Sequence, residues 1–123
     1  MKAIKTENAP KAIGPYSQAI EANRMLFISG QIPINPKTGI IPEGIRDQTQ
    51  QVMENIKAIL HEAGYVFENI VKTTCLLSDM DNFKTMNEIY SGYFPGIPPA
   101  RAAFAVKSLP LEVLIEIESI AVR

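Results

Sequence analysis

The chain has 123 residues, 46% of them hydrophobic and 20% charged, with a formal net charge of −1 and a single cysteine, Cys75. This is the make-up of one soluble globular domain over residues 1–123, large enough for a real core and too short for two. It excludes a disulfide-built scaffold, and without a basic run it offers little to neutralise phosphates, so no nucleic-acid partner is expected.

Met1 to Glu7 lacks an apolar signal core, and no apolar run approaches the roughly 20 residues of a membrane-spanning helix, so no membrane partner and a cytoplasmic address are expected. Lys2 to Thr6 reads as a short edge strand, broken by Asn8-Ala9-Pro10 and Gly14-Pro15. Tyr16 to Ile20 is extended again. Ala22-Asn23-Arg24 is a turn, and Met25 to Ser29 is a strand ended by Gly30. The prolines and Gly39 of Gln31 to Gly39 make that stretch a loop.

Between Gly44 and Gly64 the residues Ile45, Thr49, Val52, Met53, Ile56, Ile59, Leu60 and Ala63 recur at three- and four-residue steps, which predicts an amphipathic helix. Gly64 suits a left-handed cap. Ile70 to Leu77 is β-branched and apolar on both faces, as in a central strand. Asp79 or Asp81 caps a second helix through Tyr93, with Phe83, Met86, Ile89, Tyr90 and Tyr93 on one face. Two final strands follow, Arg101 to Val106 and Val113 to Val122, joined at Leu109-Pro110. Two helices among five or six strands predict an α+β fold: a mixed sheet with both helices on one face.

The alternation in the last two strands carries a further expectation. Phe104 and Val106 share one face of the first, opposite Arg101, Ala103 and Ala105. Val113, Ile115 and Ile117 share one face of the second, opposite Glu116 and Glu118. If the two strands form an antiparallel hairpin with their apolar sides to the helices, Arg101 shares a face with Glu116 and Glu118. That face mixes alanine, leucine and isoleucine with a few charges and has no helices left to cover it. We therefore expect an oligomer with these residues at a subunit boundary, where small ligands often bind.

Arg101, set by the rigid lead-in Pro98-Pro99, offers a planar fork that suits a carboxylate. Its other reading is an ion pair to Glu116 or Glu118 across the hairpin. The two glutamates either handle water in a site or mark a half-exposed strand. Tyr16 lines a cleft or is a core residue with a satisfied hydroxyl. Ser29 bonds a ligand or local backbone, and Asn87 on the apolar side of the second helix is a buried anchor or the frayed edge of the stripe. Cys75 reads as a small buried hydrophobe. His61, the only histidine, lies on a solvated helix face, so neither a Ser-His-Asp triad nor a histidine metal site is supplied. No motif for a nucleotide, metal or redox cofactor is present.

Taken together, Asn8-Ala9-Pro10, Ala12 to Ala19, Ile28-Ser29-Gly30-Gln31-Ile32-Pro33, Asn35 to Gly39, Asn55 to Leu60, Ile70 to Thr74, Pro99-Ala100-Arg101 and Ile115 to Val122 resemble, almost end to end, the reactive intermediate deaminase A (RidA/YjgF) family. The resemblance implies a chorismate-mutase-like α+β fold assembled as a homotrimer with clefts between subunits. It implies cofactor-free hydrolysis of enamine and imine acids such as 2-aminoacrylate and 2-iminobutanoate to 2-keto acids and ammonia. On it, Arg101 grips the substrate carboxylate, Glu116 is associated with the water, and Tyr16, Ser29 and Asn87 line the cleft. Ala103, also at the cleft, departs from the cysteine that many members carry there. Rival readings are a chorismate mutase, for which one arginine is few cations, a 2-keto-acid-binding sensor, and a translation-inhibiting ribonuclease.

Overall fold

A computed structural model describes residues 1–123. The elements are β1 (Lys2–Ile4), β2 (Ala19–Ala22), β3 (Met25–Gln31), α1 (Ile45–Ala63), β4 (Ile70–Leu77), α2 (Phe83–Ser91), β5 (Ala100–Ala105) and β6 (Ile115–Val122), with single 3₁₀ turns before β4, α2 and β6. The strands form one six-stranded sheet in the order β1-β2-β3-β6-β4-β5. Only β4 and β5 run parallel. This is the expected α+β architecture, with both helices on one face of a mixed sheet.

The core lies between that face and the helices. Val52, Ile56, Ile59 and Leu60 of α1 and Met86 and Tyr90 of α2 meet Leu26, Ile28, Cys75, Leu77, Ile115 and Ile117 of the strands. Each fully buried aliphatic side chain of this size stabilises the fold by about 1.5–3 kcal/mol. Gly64 ends α1 in the left-handed conformation at φ 78°, and its N–H caps the last turn. No side chain caps the start of α1. Instead Gln48 ties that end down, its Nε2 donating to Pro42 O at 3.0 Å and its Oε1 accepting from the Leu114 N–H at 2.8 Å. Asp79 caps the 3₁₀ turn that leads into α2 by accepting from the Asp81 N–H at 2.8 Å, and α2 stops at Ser91, short of the expected Tyr93. No helix is long and apolar enough to cross a membrane.

The sheet corrects two expectations. Gly30 does not end β3: the strand runs on to Gln31 through an irregularity in its pairing with β6 between Ile28 and Gln31. More consequentially, β5 and β6 are not a hairpin. β6 lies between β3 and β4, antiparallel to both, while β5 pairs in parallel with the far side of β4. Residues 78–99 carry α2 and give the long crossover that a parallel pair requires. A short alanine-rich strand behind Pro98-Pro99 suits a sheet edge. β6, with Ile115, Ile117, Ser119 and Ala121 all buried, takes the centre.

Arg101 is paired with Thr73, not opposite a glutamate. Its side chain and that of Ala103 turn toward α2, while Phe104 faces away and is 48% exposed. The apolar alternation of β6 is as expected, with Ile115 and Ile117 inward and Glu116 and Glu118 on the open face. Arg101 and Glu116 therefore lie on opposite faces of one sheet. Neither takes part in an ion pair: the two salt bridges are Arg46–Glu88 and Arg123–Glu21.

Candidate functional site

The candidate residues fall into two groups. The first is built on β5 and α2. Arg101 Nη1 donates to Asn87 Oδ1 at 2.8 Å, and the guanidinium lies 4.9 Å from the ring centroid of Tyr90 and 5.5 Å from that of Phe83. Because arginine has no acceptor, the amide atom facing it must be the oxygen, which leaves the Asn87 amino group free to donate. Asn87 is thus an anchor and not a frayed edge of the stripe. Phe83, Asn87 and Tyr90 sit at helical steps of four and three, so one face of α2 forms a platform beneath one cation. The Tyr90 hydroxyl shares a 2.7 Å hydrogen bond with Thr73 Oγ1. Cys75, paired in register with Ala103, is buried beside Arg101. Burial pushes its thiol up to about 11 despite the nearby guanidinium, so it is a neutral packing group at physiological pH.

The second group lies across the sheet. Glu116, half-buried on the open face, approaches the backbone of Gly30 so closely that a Cβ there would collide with Glu116 Oε1. Burial, and secondarily the like charge of Glu118, raises its carboxyl above the usual carboxylate range. Ser29 donates from Oγ to Ser17 O at 2.6 Å, and its N–H donates to Gln18 O at 3.0 Å. Ser29 thus bonds backbone, but that of the loop twelve residues before it and not the local backbone expected. Tyr16 is half-exposed, with Oη accepting from the Ile13 N–H at 3.2 Å, so it is not a core residue.

The loop that carries Tyr16 is tied down by a residue the sequence did not single out for a role. Gln18 Oε1 accepts from the Thr6 N–H at 2.7 Å, while its Nε2 donates to the carbonyls of Thr6, Ala9 and Pro10. Gly30, Thr73, Phe83 and Tyr90 likewise join the candidate groups only in the structure. For the aromatic platform a signal was available, since Phe83, Asn87 and Tyr90 share a helix face with a polar residue in the middle. Nothing in the sequence pointed to the meeting of Gly30 and Glu116.

A concavity of about 470 Å³ lies elsewhere, lined by polar side chains such as Asn8, Lys37, Gln51 and His61. No three His, Cys, Asp or Glu side chains converge in a way that could hold a metal ion. What the two groups offer is a rigidly held cation with free donors on one face, and a proton-accepting group with an elevated pKa on the other.

The endoribonuclease L-PSP family profile matches residues 6–123. A RutC family protein of Pyrococcus horikoshii is 59% identical over 123 residues, covering 99% of this chain and 98% of its own. The 2-iminobutanoate/2-iminopropanoate deaminase of Mus musculus is 50% identical over 99% of this chain and 91% of its own. Among solved structures, Escherichia coli TdcF with bound serine is 44% identical, with a TM-score of 0.97 over 100% of this chain and 99% of its own. Such likeness, end to end in both sequence and fold, bears out the resemblance read from the motifs: the chain belongs to the endoribonuclease L-PSP (RutC/YjgF) family.

Proposed function

We propose that this protein is a deaminase that hydrolyses 2-imino and 2-enamino acids, such as 2-iminobutanoate and 2-aminoacrylate, to 2-keto acids and ammonia. The observation that carries the reading is the pair of half-sites: a preset guanidinium on one face and a carboxyl of raised pKa on the other, in a chain of this family. The deaminase names of the mouse, rat and Escherichia coli relatives support the reaction class.

One chain cannot bring its own Arg101 and Glu116 to the same small molecule, so the working unit is an oligomer, read as a homotrimer. Its clefts set Arg101, Asn87 and Ala103 of one copy against Glu116, Ser29 and Tyr16 of the next. The open face supports this, because it leaves Phe27, Phe104 and Val122 each more than a third exposed, as surfaces that meet another subunit do.

In this scheme the substrate carboxylate docks on Arg101, which orients C2. An enamine gains a proton at C3 and loses one from nitrogen, becoming the imine. Water adds to C2 as Glu116 takes one of its protons and passes it to nitrogen, giving a carbinolamine; the second proton, from the new hydroxyl, reaches nitrogen by the same carboxyl. The C2–N bond breaks, ammonia leaves and C2 becomes a carbonyl. Water is consumed and no electrons change hands. Because such imines also hydrolyse unaided, orientation and modest proton transfer suffice. The reading places the protein in the cytoplasm, without a nucleic-acid partner.

The test adds purified protein to freshly generated 2-aminoacrylate and 2-iminobutanoate and follows 2-keto acid formation. We expect acceleration by the wild type and none by Arg101→Ala; equal rates from both would reject Arg101 as anchor. The family description as an endoribonuclease favours a second reading, RNA cleavage. The near-neutral charge weighs against it, and cleavage retained by Arg101→Ala would point to a contaminant.

A further inference from the structure

The deaminase reading assigns Arg101 the substrate carboxylate but leaves open what fixes the direction of its fork. We propose that Tyr90 is a positioning residue for this guanidinium, its ring setting the plane of Arg101 and its hydroxyl, bonded to Thr73, locking the ring. The proposal rests on the deaminase reading. A bidentate grip needs the plane of the guanidinium as well as its charge. The single bond from Nη1 to Asn87 fixes one nitrogen and leaves rotation about it free. The Tyr90 ring, 4.9 Å away, and the more distant Phe83 ring, 5.5 Å away, limit that freedom, and Tyr90 is the nearer. Tyr90 is itself only 6% exposed, and its hydroxyl is tied at 2.7 Å to Thr73, the residue paired with Arg101 across β4 and β5.

The contacts thus close a ring: strand pairing, Thr73 hydroxyl, Tyr90 hydroxyl, aromatic face, guanidinium. With Nη1 committed to Asn87, the adjacent Nη2 and Nε remain as the fork. The ligand class is a small acid that presents its carboxylate to that edge, as 2-imino and 2-keto acids do.

The test measures the Kd of 2-oxobutanoate by calorimetry, and KM and kcat with 2-iminobutanoate. We expect Tyr90→Leu to raise Kd and KM about tenfold, and Tyr90→Phe, which keeps the ring and frees it, about threefold, with kcat within about twofold of wild type. Thr73→Val should match Tyr90→Phe, and the double variant should be no worse than either alone. In an Arg101→Lys background, where the cation has no plane to set, Tyr90→Phe should change Kd less than about twofold. A mere packing role would not produce that dependence. Wild-type Kd and KM in folded Tyr90→Phe protein, or the same loss in the Arg101→Lys background, would overturn the proposal. Should Tyr90→Leu not fold, Tyr90→Phe decides. A wild type that neither binds 2-oxobutanoate nor turns over 2-iminobutanoate fails the deaminase reading and takes the proposal with it. Wild-type binding with indifferent Tyr90 variants overturns the proposal alone.

Discussion

The two faces of the sheet are finished to different degrees. On the helix face, Arg101 is held by Asn87 and laid on Tyr90 and Phe83, and its strand partner Thr73 is bonded in turn to Tyr90. On the open face, Glu116 has no hydrogen-bond partner, leans on the bare backbone of Gly30 and sits among partly exposed apolar side chains. The cation is organised by its own chain, whereas the carboxyl is only placed by it. On the proposed reading the guanidinium grips a carboxylate and has to be aimed, which these supports would do. A carboxyl that exchanges protons with water needs loose surroundings and an elevated pKa, which partial burial supplies.

The comparison breaks most sharply at the organised half. Arg101→Ala should lower kcat/KM by about 10³-fold, since charge and orientation are lost together. Glu116→Gln should cost about 10²-fold, mostly in kcat, as removal of a general base does. The glutamine variant should also be more stable at neutral pH. Burial and Glu118 raise the folded pKa of Glu116 above its unfolded value, so its contribution to stability is present at low pH and is lost as pH rises through the folded pKa. Glutamine removes that cost, so Tm should rise as activity falls, and differential scanning calorimetry at pH 7 checks it. If the halves belong to different copies, co-refolding the two inactive variants in equal amounts should restore about a quarter of wild-type activity in a cyclic trimer. No recovery would show that the halves are not shared.

How far this contrast could be read from the sequence follows from the range of the forces that made it. α1 and the interior of β4 were legible because period and composition are local: the run from Ile45 to Ala63 and the β-branched Ile70–Leu77 announce themselves. The inward face of β6 was legible from the alternation of Ile115 and Ile117 with Glu116 and Glu118. The order of strands was not, because no pattern within residues 101–122 says that β6 passes inside β4. The clue lay in residues 78–99, a helix-bearing connection long enough to make β4 and β5 a parallel pair. Without that clue the facing of β5 inverts: alternation alone puts Phe104 inward, whereas the small Ala103 and Arg101 are inward. The motifs supply the candidate residues, but their division between two faces is a property of the sheet alone.

The unfinished half can be disturbed without touching an ionisable group. A Cβ at Gly30 would occupy the space now taken by the Glu116 carboxyl. The obstacle is the end of a flexible side chain, so the fold should survive, with Tm lowered by a few degrees, while the carboxyl is pushed aside. Gly30→Ala should therefore lower kcat by about tenfold and leave the Kd for a 2-keto acid almost unchanged, because carboxylate binding belongs to the other face. A matching loss in Kd would mean that Gly30 touches the ligand directly and that the division of labour is drawn in the wrong place.

The smallest expected effect isolates the electrostatics of the open face. Glu118 stands two residues from Glu116 on the same side of β6 and is the second cause of its raised pKa, after burial. Glu118→Gln removes the like charge and leaves burial in place, so the pKa of Glu116 should fall part of the way toward the ordinary carboxylate value. If Glu116 acts as the base, kcat/KM rises with pH through that pKa, and the acid limb of the profile should move to lower pH, with the plateau unchanged. A profile that does not move would separate the titrating group from Glu116. A plateau that drops as well would place Glu118 among the groups that hold the water.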